Sequence, residues 1–232
     1  MHEPVKTKRR FTKIGTIKLN RTKIMNNIVR LFGYTFLLSL FSVALAADPF
    51  RIENEIIYYD TVNSEKTDSI EFGHAEITLD MLKDNQNIKV LVLNVSGGMV
   101  EEAMDIADIV IDAELDTHVE HACESACVTI FLAGTRRSLA LGGKIGFHKG
   151  YWEADSIKEY YESEKDYYEW ANPFDMASWL YEDTQAEVFS DFEYLLERGI
   201  EPKFAIQTLR AESDGMWYPR RKELKAAGVL VE

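Results

Sequence analysis

Residues 123–148 of this 232-residue chain read CESACVTIFLAGTRRSLALGGKIGFH, and they place a serine and a histidine on neighbouring predicted elements. A short strand is expected over 117–121, and the apolar run 126–133 predicts a buried helix. Ser125 would then lie at the N-terminus of that helix, where free backbone N–H groups and the positive end of the helix dipole favour an oxyanion. We therefore interpret Ser125 as a nucleophile and His148 as its general base.

The segments around this stretch predict a parallel α/β sheet. Apolar residues run almost without a break over 88–94, as in a strand that is buried on both faces. Residues 99–115 carry apolar side chains at helical spacing with acids between them. A strand over 145–148 follows, so strands and helices alternate as in βαβ units with right-handed crossovers. Two further strands are predicted, at 55–62 and 69–77.

The first 46 residues have the pattern of a secretory signal peptide. Residues 1–30 contain nine Lys or Arg residues and one acid, and the apolar run 31–46 ends in Ala-Leu-Ala, an A-x-A cleavage site. That run is shorter than the roughly 20 residues of a bilayer span, so no stable membrane insertion is expected after cleavage. A more ordinary signal begins at Met25, which is an alternative translation start. We expect one domain over 47–232, in the periplasm or outside the cell.

The expected mature chain is strongly acidic. Residues 1–46 carry nine of the 26 Lys and Arg residues and one of the 39 acidic residues, which leaves 17 basic and 38 acidic residues and a formal charge of −21. Such a surface repels nucleic acid and anionic lipid. Neither is expected as a partner.

Two cysteines, Cys123 and Cys127, flank Ser125. Outside the cytoplasm a disulfide is chemically permitted, and the separation at a strand-to-helix junction can bring the two Cα atoms within about 7 Å. Two buried free thiols are the alternative. The chain has no H-E-x-x-H motif or comparable ligand cluster, so neither a metal nor a cofactor is predicted.

The segment Leu93–Val100, which reads LNVSGGMV, and Ser125 with His148 downstream resemble the proteolytic subunit of Clp protease and its crotonase-like superfamily. The resemblance covers roughly 86–150 and extends to predicted periplasmic Clp-protease-like proteins. It implies a ClpP/crotonase-like parallel sheet with βαβ units and a projecting helical handle.

The resemblance also implies roles for particular residues. The backbone N–H groups of Gly98 and Ala126 would stabilise the oxyanion. A Gly-Gly pair alone can serve only to turn a strand into a helix, but its place before Ser125 favours the oxyanion role. Asp214 would orient His148 and stabilise its imidazolium form. The alternative for Asp214 is a turn residue. Asp191 and Glu193, on a helix expected over 184–198, are the alternative candidates for the role of Asp214.

Residues 151–182 contain ten aromatic side chains among many acids. In the resembled fold, this position is the handle through which subunits meet. Tyr160-Tyr161 and Tyr167-Tyr168 are seven residues apart, a spacing that predicts stacking on one helix face. An acidic, Tyr-rich lid over the active site is the alternative. The aromatic density favours an interface, so a homo-oligomer through 151–182 is expected.

These features predict an exported serine hydrolase, most specifically a peptidase that acts on peptides or proteins without an ATPase of its own. Two other functions remain open. One is a non-catalytic oligomeric scaffold of the same fold. The other is a crotonase-type acyl-transfer enzyme that uses the oxyanion turn without a serine nucleophile.

Overall fold

The computed structural model describes residues 48–232. The signal peptide predicted over 1–46 and the alternative start at Met25 lie outside these residues. The described chain contains these strands: β1 (Phe50–Glu53), β2 (Ile56–Asp60), β3 (Val90–Val95), β4 (Asp116–Glu124), β5 (Arg137–Leu139) and β6 (Lys144–Gly146). Its helices are α1 (His74–Asp84), α2 (Val100–Asp112), α3 (Cys127–Ala133), α4 (Ala154–Glu164), α5 (Pro173–Glu197), α6 (Pro202–Thr208) and α7 (Arg221–Ala226).

The strands form one sheet in the order β1-β2-β3-β4, and both β5 and β6 pair with β4. Only the β1–β2 pair is antiparallel among the described strand pairs. β5 lies beside the first half of β4 and β6 beside its last three residues, 122–124. The predicted α/β class with βαβ units is confirmed. Because β6 ends beside the end of β4, the residues that follow β6 lie close to Ser125, which follows β4.

The core lies between the sheet and helices α2 and α3. Alternate residues of β3 (Leu91, Leu93 and Val95) have no exposed surface, which is the period expected of one face of a strand. α2 presents Ile106 and Val110 to the same layer. α3 is buried along nearly its whole length, so the helix that begins two residues after Ser125 is fixed by packing on several sides.

The strand predicted over 69–77 is wrong. Ile70 makes only an isolated bridge to Gly98, and α1 begins at His74 after Gly73, whose φ of 96° is left-handed. His74 and Thr78 are buried four residues apart, which is the helical period. The short alternation of apolar and polar residues fitted both periods, and the left-handed glycine selects the helix.

The aromatic segment also differs from its prediction. We call residues 151–182 the aromatic hairpin, because α4 and the first part of α5 are joined there by the turn residues 165–172. α4 ends at Glu164, so Tyr167 and Tyr168 lie in the connection and not on one helix face with Tyr160 and Tyr161. The seven-residue spacing therefore does not reflect a continuous helix.

Within residues 48–232, none of the helices combines the length and the apolar character that crossing a bilayer requires.

Candidate active site

Ser125 lies in the tight turn between β4 and α3. Its φ of 56° is left-handed, a conformation that costs a non-glycine residue of the order of 1–3 kcal/mol. Backbone hydrogen bonds hold it on both sides: Ser125 N donates to Gly146 O at 3.0 Å, and Val128 N donates to Ser125 O at 2.9 Å. The fold therefore keeps the serine at a strained strand-to-helix turn.

His148 reaches Ser125 because β6 pairs with the end of β4. The Nε2 atom of His148 lies 2.6 Å from Ser125 Oγ. The segment that carries the imidazole is itself paired, since Phe147 exchanges two backbone hydrogen bonds with Trp217, each 2.9 Å long. A neutral imidazole with its proton on Nδ1 accepts the serine hydroxyl hydrogen at Nε2, which is the geometry of a nucleophile and its base.

The other ring nitrogen of His148, Nδ1, has no partner in the described part of the chain. Nδ1 is buried, and no hydrogen-bond acceptor reaches it within residues 48–232. Asp214, which was predicted to fill this position, is exposed in the turn 213–214 and makes no hydrogen bond in the described chain. The chain turns there before Trp217 pairs with Phe147, which leaves the carboxylate in solvent. The structure therefore does not bring Asp214 to His148, and the turn-residue interpretation fits it instead.

The Gly97-Gly98 turn lies against the nucleophile. A Cβ atom on Gly97 would lie 2.7 Å from the Cβ of Ser125, and one on Gly98 would lie 2.4 Å from both the N and the O of Ile70. Both glycines also have positive φ. Side chains are thus excluded at Gly97 by the Cβ of Ser125 and at Gly98 by the backbone of Ile70, which a simple turn would not require.

The two amides proposed for the oxyanion are free in the described chain. Ile70 bonds to Gly97 O and Met99 N, which leaves the N–H between them, that of Gly98, without an acceptor among residues 48–232. Ala126 N–H, the next amide after Ser125, donates to no acceptor in that range either. Unpaired amides beside a nucleophile are what an oxyanion hole requires.

Cys123 and Cys127 are joined by a disulfide, with their Cα atoms 5.3 Å apart. Both residues are fully buried. Cys123 pairs with Val95 and Ile145 in the sheet, and Cys127 is the first residue of α3. The bridge therefore connects the end of β4 to the start of α3 across Ser125.

A cleft of about 150 Å³ opens beside the serine and histidine. Its walls are largely apolar. The apolar side chains that line it are Val100, Ala126, Val128, Leu132, Phe147, Leu195 and Leu209. Asp191 of α5 also lines the cleft, whereas Glu193, the other alternative candidate, does not. Burial raises the pKa of the Asp191 carboxyl.

Sequence reasoning missed one contact next to the nucleophile. Tyr218 Oη donates to Glu124 Oε1 at 2.6 Å, and this contact is the main cause that raises the pKa of Tyr218 to about 12. Lys144 lies over the same ring at 4.9 Å. No local pattern could have paired Tyr218 with Glu124, because 94 residues separate them in the chain.

No His, Cys, Asp and Glu residues in 48–232 form a group of three or more that could hold a metal ion.

No protein-family model matches the chain, and no curated protein matches it. Among solved structures, it is similar to a mutant of ClpP1 from Listeria monocytogenes, with 17% sequence identity and a TM-score of 0.44. The match covers 70% of this chain and 84% of that one. The similarity is distant in both sequence and structure.

Proposed function

We propose that this chain is a serine hydrolase and that peptide bonds are its substrates. The observation that supports the proposal is the 2.6 Å contact between Ser125 Oγ and His148 Nε2 at the edge of a cleft. A serine beside a histidine is inert in many proteins. Here the serine also has a strained left-handed backbone, a neighbouring free amide and an adjoining glycine turn, all of which serve acyl transfer. The sequence resemblance to a peptidase family favours the amide substrate.

The proposed reaction begins with attack of Ser125 Oγ on the carbonyl carbon, while His148 Nε2 takes the hydroxyl proton. The carbonyl oxygen becomes an oxyanion that accepts hydrogen bonds from Gly98 N–H and Ala126 N–H. The C–N bond then breaks as His148 returns the proton to the leaving amine. Water releases the acyl group from Ser125 by the same steps, with His148 again as the base.

The proposed catalytic unit is the Ser125–His148 pair without Asp214. Removal of the aspartate from a working triad lowers kcat by about 10⁴. Because Asp214 is exposed and makes no hydrogen bond to His148 within residues 48–232, we expect Asp214→Asn to change the rate of serine labelling by no more than about twofold.

A fluorophosphonate probe tests the function. We expect the purified protein to be labelled on Ser125 and Ser125→Ala to be unlabelled. Ser138→Ala is the matched control, because Ser138 Oγ also contacts a histidine, His118 Nδ1, at 2.8 Å, but outside this cleft. It should be labelled like the wild type.

Each outcome decides between the functions considered. A folded wild-type protein that stays unlabelled contradicts the hydrolase and leaves the non-catalytic scaffold. Normal labelling of Ser125→Ala would contradict Ser125 as the nucleophile, since the reactive group would then lie elsewhere. A crotonase-type enzyme that works through the oxyanion turn alone would keep its acyl-transfer activity in Ser125→Ala.

We also propose that the chain is exported and works as a homo-oligomer. The disulfide is compatible with an oxidising compartment. Mass spectrometry of protein recovered from the periplasm should give an N-terminus at Ala47. An intact N-terminus in the cytoplasmic fraction would contradict export.

A further inference from the structure

The cleft beside Ser125 contains one carboxylate among its described lining residues, that of Asp191. α5 carries it one turn before Leu195, which is nearly buried and lines the apolar wall. The cleft walls are apolar over much of their area, although Ser125, Thr129 and His148 also line them. A carboxylate that loses part of its hydration beside apolar side chains is stabilised by a partner, and a bound ligand can supply one.

Asp191 has no partner within residues 48–232. It makes no hydrogen bond or ion pair there, and burial is the cause that raises its pKa. Lys149 also lines the cleft, but its Nζ lies 3.6 Å from Glu212 Oε2. The carboxylate stays accessible to solvent, so a ligand can reach it.

The surroundings of Asp191 are acidic. Asp183, Glu187 and Asp191 follow one another at four-residue intervals and so share one face of α5. The pKa of Glu187 is raised by burial first, and then by the charges of Asp183, Asp191 and Glu101. A row of like charges beside a cleft produces a negative potential that attracts cations.

We propose that Asp191 determines the specificity of this cleft, and that the cleft takes a substrate side chain with an apolar stem and a cationic end, as in lysine or arginine. This inference rests on the proposed hydrolase function. The methylene groups of such a side chain would pack on Val128, Leu132 and Leu195, and the cationic end would pair with the carboxylate. An apolar side chain would cover the same walls but leave the carboxylate desolvated and unpaired.

A positioning role for Asp191, with its carboxylate on His148 Nδ1, is the competing interpretation. The two roles predict different results. A group that orients His148 affects every substrate and also the fluorophosphonate reaction. A group that binds a substrate side chain affects only substrates with that side chain.

The test uses fluorogenic peptides that differ only in the residue before the scissile bond: Arg, Lys, Leu or Glu. We expect wild-type kcat/KM to favour Arg and Lys over Leu by about tenfold or more. Asp191→Asn should lose about 10–100-fold on Arg and Lys, mainly through KM. It should cleave the Leu peptide at least as well as the wild type, because an amide costs less to desolvate than a carboxylate, and it should not slow the labelling reaction. Asp191→Lys should favour the Glu peptide.

Glu193→Gln is the matched control. It changes an exposed carboxylate of the same helix that does not line the cleft, and it should behave as the wild type. If wild-type protein is labelled but cleaves the Leu peptide as well as the Arg peptide, the specificity inference is overturned and the hydrolase stands. If Asp191→Asn slows labelling and all peptides alike, the inference is also overturned. Absence of labelling in the wild type overturns the proposed function itself.

Discussion

The sheet and its helices, residues 48–150, and the aromatic hairpin bury their apolar side chains in different ways. In the first region, aliphatic residues such as Leu93 and Ile106 have no exposed surface and are enclosed between layers. In the hairpin, aromatic rings pack against one another: the ring centroid of Tyr168 lies 4.7 Å from that of Trp170 and 5.4 Å from that of Trp179. Trp170 alone among the hairpin aromatics is as much as nine-tenths buried.

The difference shows what each region is suited to do. Backbone atoms that are enclosed by packed layers on every side can be held within about 0.5 Å of a required position, and an oxyanion site needs that precision. The hairpin leaves large rings in solvent: Tyr167, Phe174 and Tyr181 are 78%, 83% and 71% exposed. Several of the ten aromatic residues cover one another, so the interface expected over 151–182 does not need all of them. These three are the most exposed aromatic residues of the hairpin, and they are the strongest support for an interface.

The largest expected effect is a loss of serine labelling when the backbone beside Ser125 is displaced. In Gly98→Ala the new Cβ would collide with Ile70 N and O, so we expect serine labelling to fall by more than about 100-fold. Gly142→Ala is the control: its φ of 85° is also positive, but nothing lies within 4 Å of the new Cβ. That variant should lose about 1 kcal/mol of stability and keep its labelling. Normal labelling of Gly98→Ala would show that the turn tolerates displacement.

The second prediction compares the two kinds of burial directly. Phe131→Ala removes a fully buried ring of α3 and should lower the free energy of unfolding by about 3–5 kcal/mol. Trp170→Ala should open the hairpin locally, because its neighbours are other rings and not a second layer. Hydrogen exchange should then increase in α4 and remain slow in β3. An equal increase in hydrogen exchange in α4 and in β3 would mean that the two regions unfold as one unit.

Much of the first region could be predicted from local sequence. β3 is a nearly continuous apolar run, and α2 has a clear helical period of apolar side chains. The two glycines mark the turn between them, and the helix after Ser125 follows from its own apolar run. The start of α5 was also readable, because Asn172 and Asp175 form a capping box around Pro173, but the prediction began that helix at residue 184. The early start is therefore a missed signal.

The rest depends on contacts that local patterns do not contain. The position of Asp214 is set by how the chain turns before Trp217 pairs with Phe147, and the spacing of residues after His148 does not specify that turn. Asp191 and Glu193 are two residues apart on one helix, yet only the first lines the cleft. Their different positions follow from how α5 packs against α3, where Tyr194 Oη donates to Thr129 O, and this contact requires the tertiary structure.

The third prediction uses the exposed rings of the hairpin. Changing Tyr167, Phe174 and Tyr181 together to Ser should weaken self-association by about tenfold or more if these side chains form an interface. Wild-type association should strengthen at moderate salt, since each copy carries a formal charge of −21 over 47–232. Sedimentation at low and moderate salt measures both.

The matched control for this variant is Leu141→Ser, which changes a 95% exposed apolar side chain outside the hairpin. A variant with Tyr160, Tyr161, Tyr167 and Tyr168 changed to Ser is less informative, because Tyr160 and Tyr168 also pack on Trp170. A wild type that is monomeric at every salt concentration would favour a lid, as would a triple variant that assembles normally.

The smallest effect concerns a polar contact inside the first region. His74 is nearly buried, and its Nδ1 accepts hydrogen bonds from Tyr59 Oη at 2.7 Å and from Glu71 N at 3.2 Å. Burial is the main cause that lowers the pKa of His74, although nearby carboxylates oppose it. The imidazole is therefore neutral in the fold at a pH where an unfolded chain already binds a proton.

Stability from this neutral histidine is fully present above the ordinary histidine pKa of about 6.5, and it is lost as the pH falls towards the lowered pKa of the folded state. Urea unfolding at pH 6.5 and 5.5 should show the loss in the wild type. Because one proton accounts for at most about 1.4 kcal/mol per pH unit, the wild-type protein should lose up to that much more than His74→Gln. His121→Gln, which changes an exposed histidine of β4, should follow the wild type. Equal pH dependence in the wild type and His74→Gln would show that His74 is protonated within the fold.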